Sequence, residues 1–231
     1  MLISGSILQE GSTVAFVGSC TMGTMSSSML EARRPTVIIV GSGRSGTSTI
    51  ARLCHEELGI CMGHYLKDPD YMNPQGYYED LISHALVRTM VDGSYTADRY
   101  LSLMNHFHKD CLLWGAKDPW FLFLPDQTLL QLKPKLCIVA HRDLESTVKS
   151  WTKLYLGGTM PSGKKLHHDG VVPEQVRQHY TKLTIDRQNK VARLHQLWGN
   201  TIIIDFTERV EEEEIVTRIR SGLTLVEAEK R

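Results

Sequence analysis

No apolar run in the chain approaches the ~20 residues that a helix needs to span a bilayer. The N-terminus also lacks a basic stretch ahead of an apolar core. Neither a membrane span nor a secretory signal is expected, and the location read from this is cytoplasmic. An excess of one charge is missing too. Lys and Arg number 26, and so do Asp and Glu. That balance argues against nucleic acid as the main partner but leaves room for local basic pockets. Paired C-x-x-C motifs are absent: Cys20, Cys54, Cys61, Cys111 and Cys137 are scattered and odd in number. They read as buried free thiols of a reducing compartment, with no metal expected.

The chain has a length of 231 residues, of which 42% are hydrophobic and 23% charged. Those values suit one well-buried domain and exclude wholesale disorder. Residues 1–34 are rich in Ser, Gly and Met and read as an extension, flexible or carrying an accessory strand in "STVAFVG". From residue 35 to 231 strand and helix signals alternate. "TVIIV", "CLLWGAK", "KLCIVA" and "NTIIIDF" are short apolar runs of the kind that form buried parallel strands. Helical periodicity is expected over Thr47–Leu58, with Gly59 as its stop, and over Leu81–Met90 and Arg99–His108. It is also expected in "PDQTLLQL", in "LESTVKSWTKL", over Pro173–Leu197 and from Glu211 onward. Such alternation predicts an α/β fold, with a central parallel sheet flanked by helices in three layers and ligands at the carboxyl ends of the strands.

The first such end is followed by "GSGRSGTS", Gly41–Ser48. Gly41, Gly43 and Gly46 spell the dinucleotide pattern G-x-G-x-x-G, but no strand ending in an acid follows about 20 residues later. The phosphate-loop pattern G-x-x-x-x-G-K-[ST] fits better, except that Thr47 replaces its lysine. A strand, a Gly-rich turn and a helix N-terminus suffice to cradle an anion with backbone N–H groups. Ser45, Thr47 and Ser48 add hydroxyls, and Arg44 supplies a planar cation. "HRDL" at His141–Leu144 imitates a protein-kinase loop, but Val148 stands where that loop needs Asn. A glycine turn without a ligand is the plain alternative.

A second anion site is suggested after "KLCIVA", where Arg142 ends the strand and Ser150 follows on the next helix. At this point the chain resembles the sulfotransferase family that uses 3′-phosphoadenosine 5′-phosphosulfate (PAPS). "GSGRSGTS" resembles the arginine form of that family's 5′-phosphosulfate loop, and "HRDLESTVKS" its Arg-then-Ser 3′-phosphate motif. "NPQGYYED" and "WGAKDP" between them are similar to segments of its bacterial and environmental branch. The resemblance covers residues 35–155 well. The first-loop lysine and late basic glycine motif of the cytosolic small-molecule branch are lacking.

The resemblance implies a phosphate-loop (P-loop NTPase-like) fold and transfer of a sulfuryl group from PAPS to a hydroxyl or amine, leaving adenosine 3′,5′-bisphosphate (PAP). The acceptor would be a small molecule or carbohydrate. Gly43, Arg44, Ser45, Gly46, Thr47 and Ser48 would bind the 5′-phosphosulfate, and Arg142 and Ser150 the 3′-phosphate. Glu79 would be the base, with Asp80 and His141 as rivals. Lys117 would touch the sulfonate or acceptor, or else form an ion pair with Asp118 or elsewhere. His167 and His168, with Lys164 and Lys165, read as a loop over the nucleotide. A phosphate-loop small-molecule kinase, or an inactive nucleotide-binding protein of the same fold, are the alternatives.

Overall fold

A computed structural model of the chain describes residues 9–10, 13–14, 33–70, 73, 76–157 and 174–228. Strands β1 (Gln9–Glu10) and β2 (Thr13–Val14) pair antiparallel, so part of the expected accessory strand is extended. The loop carrying Lys164, Lys165, His167 and His168 lies outside the described residues.

The central sheet contains β3 (Val37–Gly41), β4 (Gly115–Lys117), β5 (Leu136–His141) and β6 (Thr201–Asp205). Its order is β4-β3-β5-β6, and every pairing is parallel. Cys61 adds a single parallel bridge to Trp114 on the outer side of β4. Its N–H donates to the Leu113 carbonyl at 3.0 Å, and its own carbonyl accepts from Gly115 N–H at 2.9 Å. That segment is a one-residue edge strand.

Side chains alternate across β3 and β5, which is why both strands read as unbroken apolar runs. Ile38, Val40, Cys137 and Val139 face one layer of helices. It contains α2 (Leu81–Val91), α3 (Ala97–Phe107), α4 (Asp126–Leu132) and α6 (Glu174–Trp198). Val37, Ile39, Leu136, Ile138 and Ala140 face the other, built from α1 (Thr47–Glu56) and α7 (Glu212–Ala228). Each fully buried aliphatic side chain contributes about 1.5–3 kcal/mol, so this double-faced core dominates stability. The expected α/β architecture, a central parallel sheet flanked by helices in three layers, is the one observed. Helix α5 (Leu144–Gly157) follows β5 and packs on α6. Among the described residues, no helix is long and apolar enough to cross a membrane.

Two local features differ from expectation. "DPWFLF" forms a 3-10 turn at Pro119–Phe123, capped by Asp118, whose carboxylate accepts from Trp120 N–H at 2.7 Å. Of the described cysteines, Cys54 and Cys137 are buried free thiols as expected, whereas Cys61 and Cys111 are only partly buried; Cys20 lies outside the described residues.

Register places the functional ends together. Ile39 pairs with Lys117, Gly41 with Ala140, and His141 with Asp205. The segments that follow β3, β4, β5 and β6 therefore leave the same edge of the sheet.

Candidate active site

The glycine loop bends immediately after β3. Ser45 N–H donates to the Ser42 carbonyl at 3.2 Å, and the Ser45 hydroxyl donates to the same oxygen at 2.6 Å. Arg44 sits at φ 71°, a left-handed conformation that an L side chain adopts only when its surroundings hold it there. Gly46 caps α1 at φ 97°. A Cβ there would lie 2.6 Å from the Phe206 ring, so glycine lets the β6 loop close over the helix start.

Arg44, Gly46, Thr47, Ser48, Arg142 and Ser150 line one cleft of about 560 Å³. The two anion-binding motifs, far apart in the chain, are thus parts of a single site. Arg44 Nε donates to Ser150 Oγ at 3.1 Å, and Arg142 Nη1 donates to the Arg44 carbonyl at 3.4 Å. The Arg44 guanidinium therefore reaches toward Ser150 and spans both motifs. Burial draws its pKa down from the ordinary arginine value, and Arg142 acts in the same direction. The Nε of Arg142 is buried without a hydrogen-bond partner among the described residues. An unpaired buried donor on a cation is costly, and an anion in the cleft would satisfy it.

Glu79 and Lys117 do not line that cleft but adjoin it through Ser48. Lys117 Nζ lies 2.5 Å from Glu79 Oε1, 3.3 Å from Ser48 Oγ and 3.0 Å from the Tyr77 carbonyl. Burial pulls the Lys117 ammonium below the ordinary lysine value, with Glu79 opposing the shift. Of the pairings open to Lys117, the structure takes Glu79 rather than Asp118. Asp118 Oδ2 instead accepts from His84 Nδ1 at 2.8 Å. Burial raises the Asp118 carboxyl, and the bond to Asp118 raises the His84 imidazole.

The rival bases are placed elsewhere. Asp80 caps α2, its Oδ1 accepting from Ile82 and Ser83 N–H at 3.0 and 2.9 Å. Its Oδ2 accepts from His64 and Tyr65 N–H at 3.0 and 3.1 Å. Four amides thus hold it in a structural role. His141 pairs with Asp205 at the end of β5 and does not line the cleft.

Several neighbours were not singled out in the sequence. Asn73 Nδ2 donates to Ser48 Oγ at 3.0 Å, and Phe206–Val210 form a wall of the cleft. Arg187 of α6 flanks Gly43, with a buried Nε lacking a partner among the described residues. Burial lowers its pKa. Trp151 packs on Gly43 and stacks on Tyr180 with ring centroids 5.1 Å apart. Only "NPQGYYED" contained a signal for any of these, in Asn73. A lone arginine within a long amphipathic helix carries none.

No family model matches the chain, and no curated protein matches its sequence. Among solved structures, one with a related outline is that of a presumed kinase from Chloroflexus aurantiacus J-10-fl. It is 13% identical, with coverage of 82% of this chain and 99% of that one and a TM-score of 0.38. A likeness at that level carries no argument about either fold or function.

Proposed function

We propose that the chain is a PAPS-dependent sulfotransferase. One observation carries the reading: the glycine loop, Arg142 and Ser150 share a single cleft, with Arg44 Nε bonded to Ser150 Oγ at 3.1 Å. A ligand with anionic groups at both ends of a nucleoside suits that arrangement. Loop amides and the hydroxyls of Thr47 and Ser48 would hold the 5′ end, with Ser45 bracing the loop through the Ser42 carbonyl, while Arg142 and Ser150 would hold the 3′-phosphate. The buried Nε atoms of Arg142 and Arg187, which have no hydrogen-bond partner among the described residues, fit a polyanion. Phe206–Val210 supply the wall against which the nucleoside would lie.

When bound, the donor supplies the sulfuryl group; the protein positions it and stabilises charge. Glu79 would accept the proton of the acceptor hydroxyl as its oxygen bonds to sulfur and the bond from sulfur to the 5′-phosphate oxygen breaks. Arg44 and the α1 N-terminus would stabilise the negative charge left on that phosphate. Lys117, between Glu79 and Ser48, would orient the base and face the transferring group.

A second reading has its own support. Lys117 Nζ lies 3.3 Å from Ser48 Oγ, beside the loop that lacks its lysine in sequence. A lysine beside the loop would give a small-molecule kinase of the phosphate-loop type a cation for the β/γ-phosphates. Calorimetric titration of the full chain with PAP and with ATP separates the readings. PAP is expected to bind and ATP to bind far more weakly. Tight ATP binding with none of PAP would overturn the proposal.

A further inference from the structure

Away from the cleft, on the outer side of β4, four side chains converge from two short segments. Cys61 and His64 belong to the edge segment that bridges to Trp114. His108 is the C-cap of α3, and Cys111 closes the turn after it, its N–H donating to the His108 carbonyl at 3.0 Å. The two pairs mirror each other in sequence, C-x-x-H and H-x-x-C. Their ligating atoms all lie within 4.8 Å of one another. Cys61 Sγ is 3.9 Å from His64 Nε2 and 3.5 Å from His108 Nδ1. Cys111 Sγ is 3.8 Å and 4.0 Å from the same two nitrogens.

We propose that Cys61, His64, His108 and Cys111 form a tetrahedral zinc site. With Zn–S of about 2.3 Å and Zn–N of about 2.0–2.1 Å, tetrahedral ligands stand about 3.3–3.8 Å apart. The four sulfur–nitrogen separations, 3.5–4.0 Å, lie at or within about half an ångström of those values, and the remaining pairs, within 4.8 Å, have at most about 1.5 Å to close. The donor set is also that of zinc: two thiolates balance its charge, and two neutral imidazoles complete the shell. Binding releases the two thiol protons to solvent as the two Zn–S bonds form. Four protein ligands leave no position for substrate or water, so the site is structural and not catalytic.

The surroundings are organised around the same atoms. Arg33 donates to the carbonyls of both His108 and Cys111, at 3.0 and 3.1 Å, and so fixes the second pair. The His108 ring stacks between His64 and Trp114, with centroids 5.1 and 5.2 Å away. His64 and Tyr65 N–H both donate to Asp80, the residue that precedes α2 and follows Glu79. The metal would therefore clip the edge strand to the end of α3. It would also steady the segment that presents Glu79, whatever reaction the cleft performs.

The test uses the full chain, purified with reductant, exposed to zinc chloride, desalted and analysed for metal by mass spectrometry. One zinc per chain is expected. Cobalt chloride should produce the visible absorption of tetrahedral cobalt together with a thiolate-to-cobalt charge-transfer band. The Cys61→Ser/Cys111→Ser pair and His64→Ala should each lose retained zinc and the cobalt spectrum, while His106→Ala, an exposed histidine of the same helix, keeps both. If the double cysteine variant does not fold, His64→Ala still decides, because its side chain is exposed. Zinc uptake well short of one equivalent by the reduced wild type would overturn the proposal. Uptake by the ligand variants equal to the wild type would do the same. So would a Cys61–Cys111 disulfide as the native state, with no metal taken up after reduction.

Discussion

Lys117 Nζ stands 2.5 Å from Glu79 Oε1, and both side chains are buried. The pair joins the end of β4 to the segment before α2 and reaches the glycine loop through Ser48. If Glu79 is the base, Glu79→Gln should lower turnover by about 10²–10⁴-fold and leave PAP affinity nearly unchanged. The two residues should also be coupled in stability. Lys117→Met leaves a buried carboxylate unpaired and should cost about 3–5 kcal/mol, much of it recovered in the Glu79→Gln/Lys117→Met double variant. Urea unfolding of the four proteins checks the cycle. Strict additivity would show that the contact carries no energy.

Asp80, the neighbouring acid, should behave differently. Asp80→Ala removes an N-cap and the acceptor for two loop amides, so stability should fall by about 1–2 kcal/mol or more. PAP affinity should stay within a few-fold, because Asp80 does not line the cleft. Thermal unfolding and calorimetry of the same preparation measure both. A large affinity loss without destabilisation would assign Asp80 to the site.

The His84–Asp118 bond makes part of the stability pH-dependent. The folded state raises the His84 pKa above its ordinary 6.5, chiefly through the bond to Asp118. A raised imidazole stabilises fully below 6.5, and that contribution fades as pH climbs through the folded-state value. Unfolding free energies of the wild type and His84→Gln should therefore differ most in mildly acidic buffer and converge on the alkaline side. A gap that widens with pH would reverse the assignment.

The α/β order was legible because β3 and β5 are buried on both faces and write themselves as apolar runs, with turns between them. The cleft was half legible. Arg44 and Arg142 sit in loops at strand ends and Ser150 about two turns into α5, with recognisable spacing, whereas Arg187 and Phe206 come from elements whose local pattern reports only packing. The short β4 is defined by its pairing with β3, a tertiary contact with little local signature, and the 3-10 turn after it by Asp118 accepting from Trp120 N–H. The Cys61–Cys111 cluster escaped a search for C-x-x-C, since each cysteine pairs locally with a histidine and the halves meet only through the β4 edge and α3.

The central claim is that one cleft reads phosphate at both ends of an adenosine. Its most direct test is the ratio of PAP affinity to adenosine 5′-monophosphate affinity, measured by calorimetry in the wild type and in Arg142→Ala. A charge-assisted contact is worth about 1.5–3 kcal/mol, so the wild type should prefer PAP by about 10- to 100-fold. Arg142→Ala should bring that ratio close to unity while changing monophosphate affinity little. Equal binding of the two nucleotides by the wild type, or a preference that survives Arg142→Ala unchanged, would contradict it.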